Sequence, residues 1–132
     1  MAICDGHGLP LAVHVASASP YEPHLVPTTL DLRFIPELPD RLIGDRGYDS
    51  DALDVQLWDE YGVEMIARHR RGRRHVTQDG RTARRTKRRW KIERLFAWLQ
   101  NSRRLVTRWE RSIGNFLGFL QLACAKILLR HL

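Results

Sequence analysis

The sequence predicts an α/β fold, and three observations carry that expectation. An apolar stretch interrupted by turn-forming residues opens the chain, a strand–helix–strand pattern fills residues 41–67, and two helical patterns close it. At 132 residues the chain suits one domain or a piece of one, and its 43% hydrophobic content is enough for an ordinary core.

The elements follow in order. Ile3-Cys4 and Leu11 to Ala16 flank Asp5-Gly6-His7-Gly8. Leu11, Val13 and Val15 alternate with Ala12 and His14, the period of a half-buried strand, and the tetrapeptide between the stretches tolerates turn conformations. This reads as a β-hairpin. Residues 17–40 hold Pro20, Pro23, Pro27, Pro36 and Pro39 and read as loop, with a helix near Glu22–Leu32 that places Pro27 in its first turn. Arg41 to Gly44 forms a short strand ending at Asp45. Asp49 or Ser50 caps a helix presenting Leu53, Leu57, Trp58 and Tyr61 on one face, Gly62 ends it, and Val63 to Ala67 returns as a second, parallel strand. Arg68 to Arg85 reads as an exposed polar loop. A long helix is expected from about Thr86, with Ile92, Leu95, Phe96 and Leu99 as its buried stripe and looser apolar spacing through Val106 and Trp109. A last helix, from about Ile113 to Leu129, is apolar on most sides and reads as buried.

Composition excludes several classes. Cys4 and Cys124 are too far apart in sequence for a metal-ligand motif and read as small buried thiols. No secretory signal opens the sequence, and the most apolar window, residues 116–129, is too short to span a bilayer and contains Gln121 and Lys126. The expected location is the cytoplasm, in association with the nucleoid.

The net charge of +7 conceals an asymmetry. Residues 1–67 carry a net −9, residues 68–111 a net +14, and the remainder +2. A basic block this dense repels itself unless a polyanion neutralises it, and nucleic acid is the expected one; a solvated helix face is the bland alternative.

Two carboxylates stand out. Asp45 directly follows an apolar strand, and carboxylates at the C-terminal ends of parallel strands face the crevice where α/β sheets do chemistry. Glu93 is the only acidic residue between Asp79 and Glu110, and shares a helical face with Thr86, Arg89 and Gln100. It reads either as a helix salt bridge with Arg89 or as a metal ligand. Phosphodiester cleavage wants two divalent ions about 4 Å apart, held by Asp/Glu from separate elements beside a basic track. The chain has such a track and two candidates, but no phosphate-cradling Gly-rich loop, zinc-ligand spacing or nucleophile elbow.

The residues resemble a known family. Ile43-Gly44-Asp45-Arg46-Gly47-Tyr48-Asp49-Ser50 is similar to the segment around the second catalytic Asp of bacterial insertion-sequence transposases with a DDE active site. Arg88-Arg89-Trp90-Lys91-Ile92-Glu93-Arg94-Leu95-Phe96-Ala97-Trp98-Leu99-Gln100-Asn101, followed by Arg103-Arg104-Leu105, resembles the segment around their catalytic Glu. Asp5 to Leu11 resembles the hairpin between their first and second catalytic Asp. The resemblance covers essentially the whole chain, as part of one catalytic domain.

That resemblance implies a ribonuclease-H-like fold, a mixed five-stranded sheet flanked by helices, with Asp45 and Glu93 as catalytic residues and ligands of Mg²⁺ or Mn²⁺. It implies that Arg89 contacts DNA near the cleaved strand, and the Arg-rich context adds Arg70, Arg71, Arg73, Arg74, Arg88, Arg103 and Arg104 as expected DNA-binding residues. Thr86 stands where the family signature has Tyr. The first catalytic Asp belongs on a central strand upstream of the hairpin, so the chain is expected to be N-terminally truncated, to lack that strand, and to be inactive alone; Asp5, in a turn, is a poor substitute. The expected partners are DNA, as element ends and target, and a second copy or an upstream transposase segment. The alternative, from a different class, is a non-catalytic DNA-binding protein or inhibitor derived from a transposase. An RNA-binding reading lacks an aromatic-rich recognition motif.

Overall fold

The hairpin forms as its turn residues dictate. Strand β1 (Ala2–Cys4) pairs antiparallel with β2 (Pro10–Val13), with a register irregularity between Ile3 and Cys4. Asp5 Oδ1 accepts the backbone N–H groups of His7 and Leu9, each at 2.8 Å, which closes the turn, and Gly8 sits at φ 82°. That conformation favours glycine, and a Cβ there would also lie 2.8 Å from Arg94 Nη2. Ala12 and Val13 are both buried, so β2 does not show the expected one-sided alternation. Its outer edge is occupied as well, because Phe34 N–H donates to Leu11 O at 2.8 Å and Ala12 bridges to Arg33.

The computed structural model describes residues 1–78 and 84–131. A 3₁₀ turn at Glu22–His24 runs into α1 (Leu25–Asp31), where Pro27 lies in the first turn as expected. Strand β3 (Arg41–Ile43) and β4 (Glu64–Ile66) pair in parallel, with Arg41 opposite Glu64 and Ile43 opposite Ile66, around α2 (Asp51–Tyr61). Ser50 Oγ accepts the Leu53 N–H at 3.4 Å, and Gly62 ends the helix at φ 67°. These are the start and stop signals the sequence carries. Trp58 departs from expectation: it is 63% exposed while its neighbour Leu57 is fully buried. One residue turns a helix by about 100°, which carries Trp58 off the face held by Leu53 and Leu57.

The long helix begins later than expected. Residues Arg84–Arg89 form a 3₁₀ stretch, and α3 spans Trp90–Gln100. Five of those six leading residues are cationic, and like charges repel each other and the positive end of the helix dipole. Leu95 and Leu99 are buried, Ile92 is half-buried, and Phe96 is exposed at the edge of the stripe. A short α4 (Arg103–Val106) and α5 (Ile113–Leu129) follow. Val106 and Trp109 are exposed, so the apolar stripe does not continue. The expected burial of α5 is corrected as well. Ala123, Cys124 and Ile127 face inward, whereas Ile113, Leu122 and Leu129 are exposed.

Two apolar clusters hold the fold. One joins Val26 and Leu30 of α1 to Leu53, Leu57, Val63, Met65 and Ala67 of the strand–helix–strand unit. The other joins Val13 to Leu95, Leu99, Ala123, Cys124 and Ile127. Fully burying a side chain such as Leu57 or Leu95 stabilises by about 2–3 kcal/mol. The α/β class is as expected, but the described strands form two separate two-stranded ladders rather than one mixed sheet. No helix among the described residues is long and apolar enough to cross a membrane.

Candidate active site

Asp45 follows Gly44 at the C-terminal end of β3, and its Oδ1 accepts the Gly47 N–H at 2.7 Å, capping a 3₁₀ turn at Arg46–Tyr48. Glycines flank it for steric reasons. A Cβ on Gly44 would lie 2.5 Å from Met65 Cε and 2.9 Å from Tyr48 Cδ2, and one on Gly47 would lie 2.9 Å from Asp45 Oδ1. The Gly-Asp-Arg-Gly-Tyr run thus encodes a close approach around one carboxylate. Burial first, then the charges of Glu22 and Asp45, push the Tyr48 hydroxyl up to about 12, so it stays neutral beside that carboxylate.

Glu93 sits in the first turn of α3. Arg89 lies between the two acids, with Nη1 3.8 Å from Asp45 Oδ2 and Nη2 3.4 Å from Glu93 Oε1. Because the guanidinium fork is rigid, the facing carboxylate oxygens lie within about 10 Å of each other. Asp45 is 49% exposed and Glu93 63%, so the ion pairs contribute about 0.2–1 kcal/mol each at most. The salt bridge read from helix geometry forms, and the same guanidinium also reaches Asp45. Thr86 does not share the α-helical face, because it belongs to the 3₁₀ stretch.

These carboxylates fit a divalent ion in part. Hard oxygens open to solvent suit Mg²⁺ or Mn²⁺, which bind through one or two carboxylates and keep several waters. Among the described residues no group of three or more His, Cys, Asp or Glu side chains is placed to hold a metal. Asp5 is engaged in its turn.

Four residues beyond Asp45 the environment reverses. The Asp49 side chain is 2% exposed and accepts the Arg70 N–H at 2.7 Å, the His69 Nδ1–H at 2.9 Å and an Arg73 guanidinium N–H. Burial opposes its ionisation, but the Arg70 N–H, the His69 ring and the Arg73 charge outweigh it and hold the carboxyl below its usual value. His69 Nε2 in turn accepts the N–H groups of Thr77 and Gln78 at 3.2 and 3.3 Å. Donors on one nitrogen and an acceptor on the other assign the Nδ1–H tautomer. Sequence alone offers Asp49 as a helix cap and singles out no role for His69; in the fold the two together anchor the basic loop.

The expected DNA-binding arginines divide accordingly. Arg73 is mostly buried, bonding Asp49, Asp51 and His75 O. Arg70 donates to Gly47 O at 2.9 Å and to Tyr21 Oη. Arg104 pairs with Glu110 at 3.2 Å. Arg71, Arg74, Arg88 and Arg103 are exposed. Lys91 and Arg94 bond the carbonyls of Gly6 and His7, and Arg94 also lies 5.0 and 4.9 Å from the Trp90 and Trp98 ring centres, so these two cations clamp the hairpin turn to α3. Sequence reasoning missed Arg46, Arg68, Arg84 and Lys87, which border one open cavity. The available signal was that Arg46 and Arg68 stand just past the ends of two adjacent parallel strands.

Comparison with known proteins agrees with the residue patterns. The chain is 33% identical, over 133 aligned residues, to a candidate transposase for insertion sequence element IS402 from Burkholderia cepacia. The match covers 95% of this chain and 59% of that relative, so the chain spans about three-fifths of its length. No solved structure matches the chain. The sequence model of the transposase DDE domain matches residues 1–128, nearly the whole chain, and the chain therefore belongs to the transposase DDE domain family.

Proposed function

We propose that this chain acts in metal-dependent DNA strand cleavage and transfer, as part of the transposase of an insertion sequence, with Asp45 and Glu93 as two of its metal-binding carboxylates. The observation that carries this reading is the single guanidinium of Arg89 within ion-pair reach of both acids, which come from a strand end and a helix 48 residues apart in sequence. A divalent ion, when bound, would polarise a phosphodiester oxygen and the attacking oxygen. Asp45 and Glu93 would hold the ion, which would leave Arg89 available to contact a phosphate of the DNA. Arg71, Arg74, Arg88 and Arg103, exposed in the basic block, would track the backbone, and Arg70, Arg73 and Arg104 would act from their internal contacts by shaping that surface.

The ribonuclease-H-like arrangement is part of the same proposal. Among the described residues β1 and β3 each pair with one strand, which leaves edges that a further Asp-bearing strand would join. The 132-residue chain alone, with two acids, would bind DNA without cutting it, working with a second copy or an upstream transposase segment. The absence of a metal-holding group of three among the described residues also favours the second reading, a non-catalytic DNA-binding protein or inhibitor.

Complementation separates the two. The chain is mixed with a segment carrying an Asp-bearing strand, and nicking of element ends is followed with Mg²⁺ or Mn²⁺. The proposal expects nicking that is lost in Asp45→Asn and in Glu93→Gln. Nicking by neither mixture nor chain, together with Mn²⁺ binding unaffected by both substitutions, would leave the non-catalytic reading.

A further inference from the structure

Arg46, Arg68, Arg84 and Lys87 border one cavity of about 420 Å³, open to solvent, which among the described residues Ala67, His69 and Gln78 also line. They come from three separate places: the turn after β3, the end of β4, and the 3₁₀ stretch before α3. Among the described residues, no carboxylate forms an ion pair with any of the four. Elsewhere in the basic block three arginines do have carboxylate partners: Arg73 pairs with Asp49 and Asp51, Arg89 with Asp45 and Glu93, and Arg104 with Glu110. Four like charges converging on a cavity raise the local potential and repel one another, a cost that an anion in the cavity would relieve.

The walls are also fixed rather than adventitious. Arg68 Nε donates to Thr86 Oγ1 at 3.0 Å, tying the β4 end to the 3₁₀ stretch. Gln78 Nε2 donates to Met65 O at 3.1 Å, and His69 is set by Asp49 on one side and by the Thr77 and Gln78 N–H groups on the other. The site draws on the chain next to both acids, since Arg46 follows Asp45 and Lys87 lies six residues before Glu93.

We propose that this cavity is a phosphate-binding site that seats one backbone phosphate of the DNA strand lying next to Asp45 and Glu93, with Arg84, Lys87 and Arg46 as the contacting cations and Arg68 as a wall residue. The inference rests on the DNA-acting reading above and adds where the strand is gripped. Phosphate contacts fix register and orientation without reading sequence, so the cavity would position the strand for whatever group cuts it.

The test is salt-dependent binding of a duplex oligonucleotide of arbitrary sequence to the full chain. Three proteins are compared: wild type, Arg84→Ala/Lys87→Ala, and the charge-matched control Lys126→Ala/Arg130→Ala, whose exposed residues lie outside both the cavity and the basic block. Removing one cation from a phosphate lowers the slope of log K against log salt by about 0.9. The double cavity variant is expected to lose a slope of about 1–2 and roughly tenfold or more in affinity at low salt, equally for all sequences. The control is expected to keep the wild-type slope. Arg46→Ala, an exposed side chain whose removal leaves both apolar clusters intact, serves as a second variant and is expected to lose a slope of about 1. A second arm adds inorganic phosphate against chloride at matched ionic strength. Competition specific to phosphate, present in wild type and absent in the double variant, is expected. Equal slopes for cavity variants and control overturn the site while DNA binding itself stands. Phosphate competition without any effect of the variants on duplex binding assigns the cavity to a free anion and overturns the DNA source. Failure of wild type to bind duplex at low salt overturns both this inference and the reading it rests on.

Discussion

Asp45 and Asp49 lie four residues apart and have opposite surroundings. Asp45 is half exposed, with one backbone donor and a guanidinium at 3.8 Å. Asp49 is closed off from water and fully occupied by a backbone N–H, an imidazole and a guanidinium. A carboxylate closed off from water, with protein donors on both oxygens, gives a cation no approach, whereas one with a single short hydrogen bond and open water around it does. The difference separates the acid that organises the loop from the acid available for chemistry, although both sit in the same glycine-punctuated motif.

The largest expected effect breaks the organising side. Asp49→Ala leaves the mostly buried Arg73 short of one of its two carboxylate partners and frees His69, so it should cost about 3 kcal/mol, against at most about 1 kcal/mol for Asp45→Ala, which loses a turn cap and an exposed ion pair. Urea unfolding of the two variants checks the order, and an equal cost for both would erase the contrast. Since the Asp49 carboxyl is held below its usual value, its contribution is present above about pH 4 and is lost as pH falls through the lowered folded-state value.

A smaller effect is expected at Gly44. An added methyl would meet Met65 Cε and the Tyr48 ring, one a flexible end and the other half-buried, so Gly44→Ala should cost about 1–2 kcal/mol by overpacking and displace the Asp45 turn. Unfolding together with Mn²⁺ binding separates packing from site geometry: weaker Mn²⁺ binding at full folding is the expected pattern. Smaller again is the change at Arg89. Its positive charge competes with any cation for both carboxylates, so Arg89→Gln should strengthen Mn²⁺ binding by a few-fold while weakening duplex binding. Weaker binding of both would mean that Arg89 orients the acids rather than blocking them.

What was legible in the sequence follows the same division. Caps, turns and strand ends are local, and Ser50, Gly62, Gly8 and the Asp45 motif announce them. Periodicity located α2 and α5 correctly because their apolar residues recur along the whole element. It failed on degree of burial at Trp58, Phe96 and the outer face of α5, because a pattern shows that a residue is apolar and not whether another element reaches it. Asp49, His69 and Arg73 were unreadable for a related reason: their bonds span 20 and 24 residues, and nothing in the spacing says which of many charges is buried. The Arg89 bridge was half legible, as an i,i+4 pair with Glu93, while its reach to Asp45 depends on how α3 meets β3.

Asp54 gives the smallest effect and sharpens the contrast among the acids of the α2 turn. It shares the first turn of α2 with Asp51, and its Oδ1 is buried with no hydrogen-bond partner. Burial first, then the neighbouring Asp51 charge, raises its value to about 6, the opposite direction from Asp49 although Arg73 opposes the shift at Asp54. The sign follows from proton binding. The folded chain holds this proton more tightly than the unfolded chain, so the stabilisation is complete below about pH 4 and is lost as pH rises through about 6. Asp54→Asn keeps the shape and imitates the protonated form. The variant should match wild type near pH 4, diverge between pH 4 and 6, and be more stable by less than about 1 kcal/mol at pH 7, a modest figure because the group is partly solvated. Urea midpoints across that range measure it directly. A stability gain that is constant from pH 4 to pH 7 would show that the amide adds a hydrogen bond of its own, and that the turn's acids do not divide into one held charged and one held against its charge.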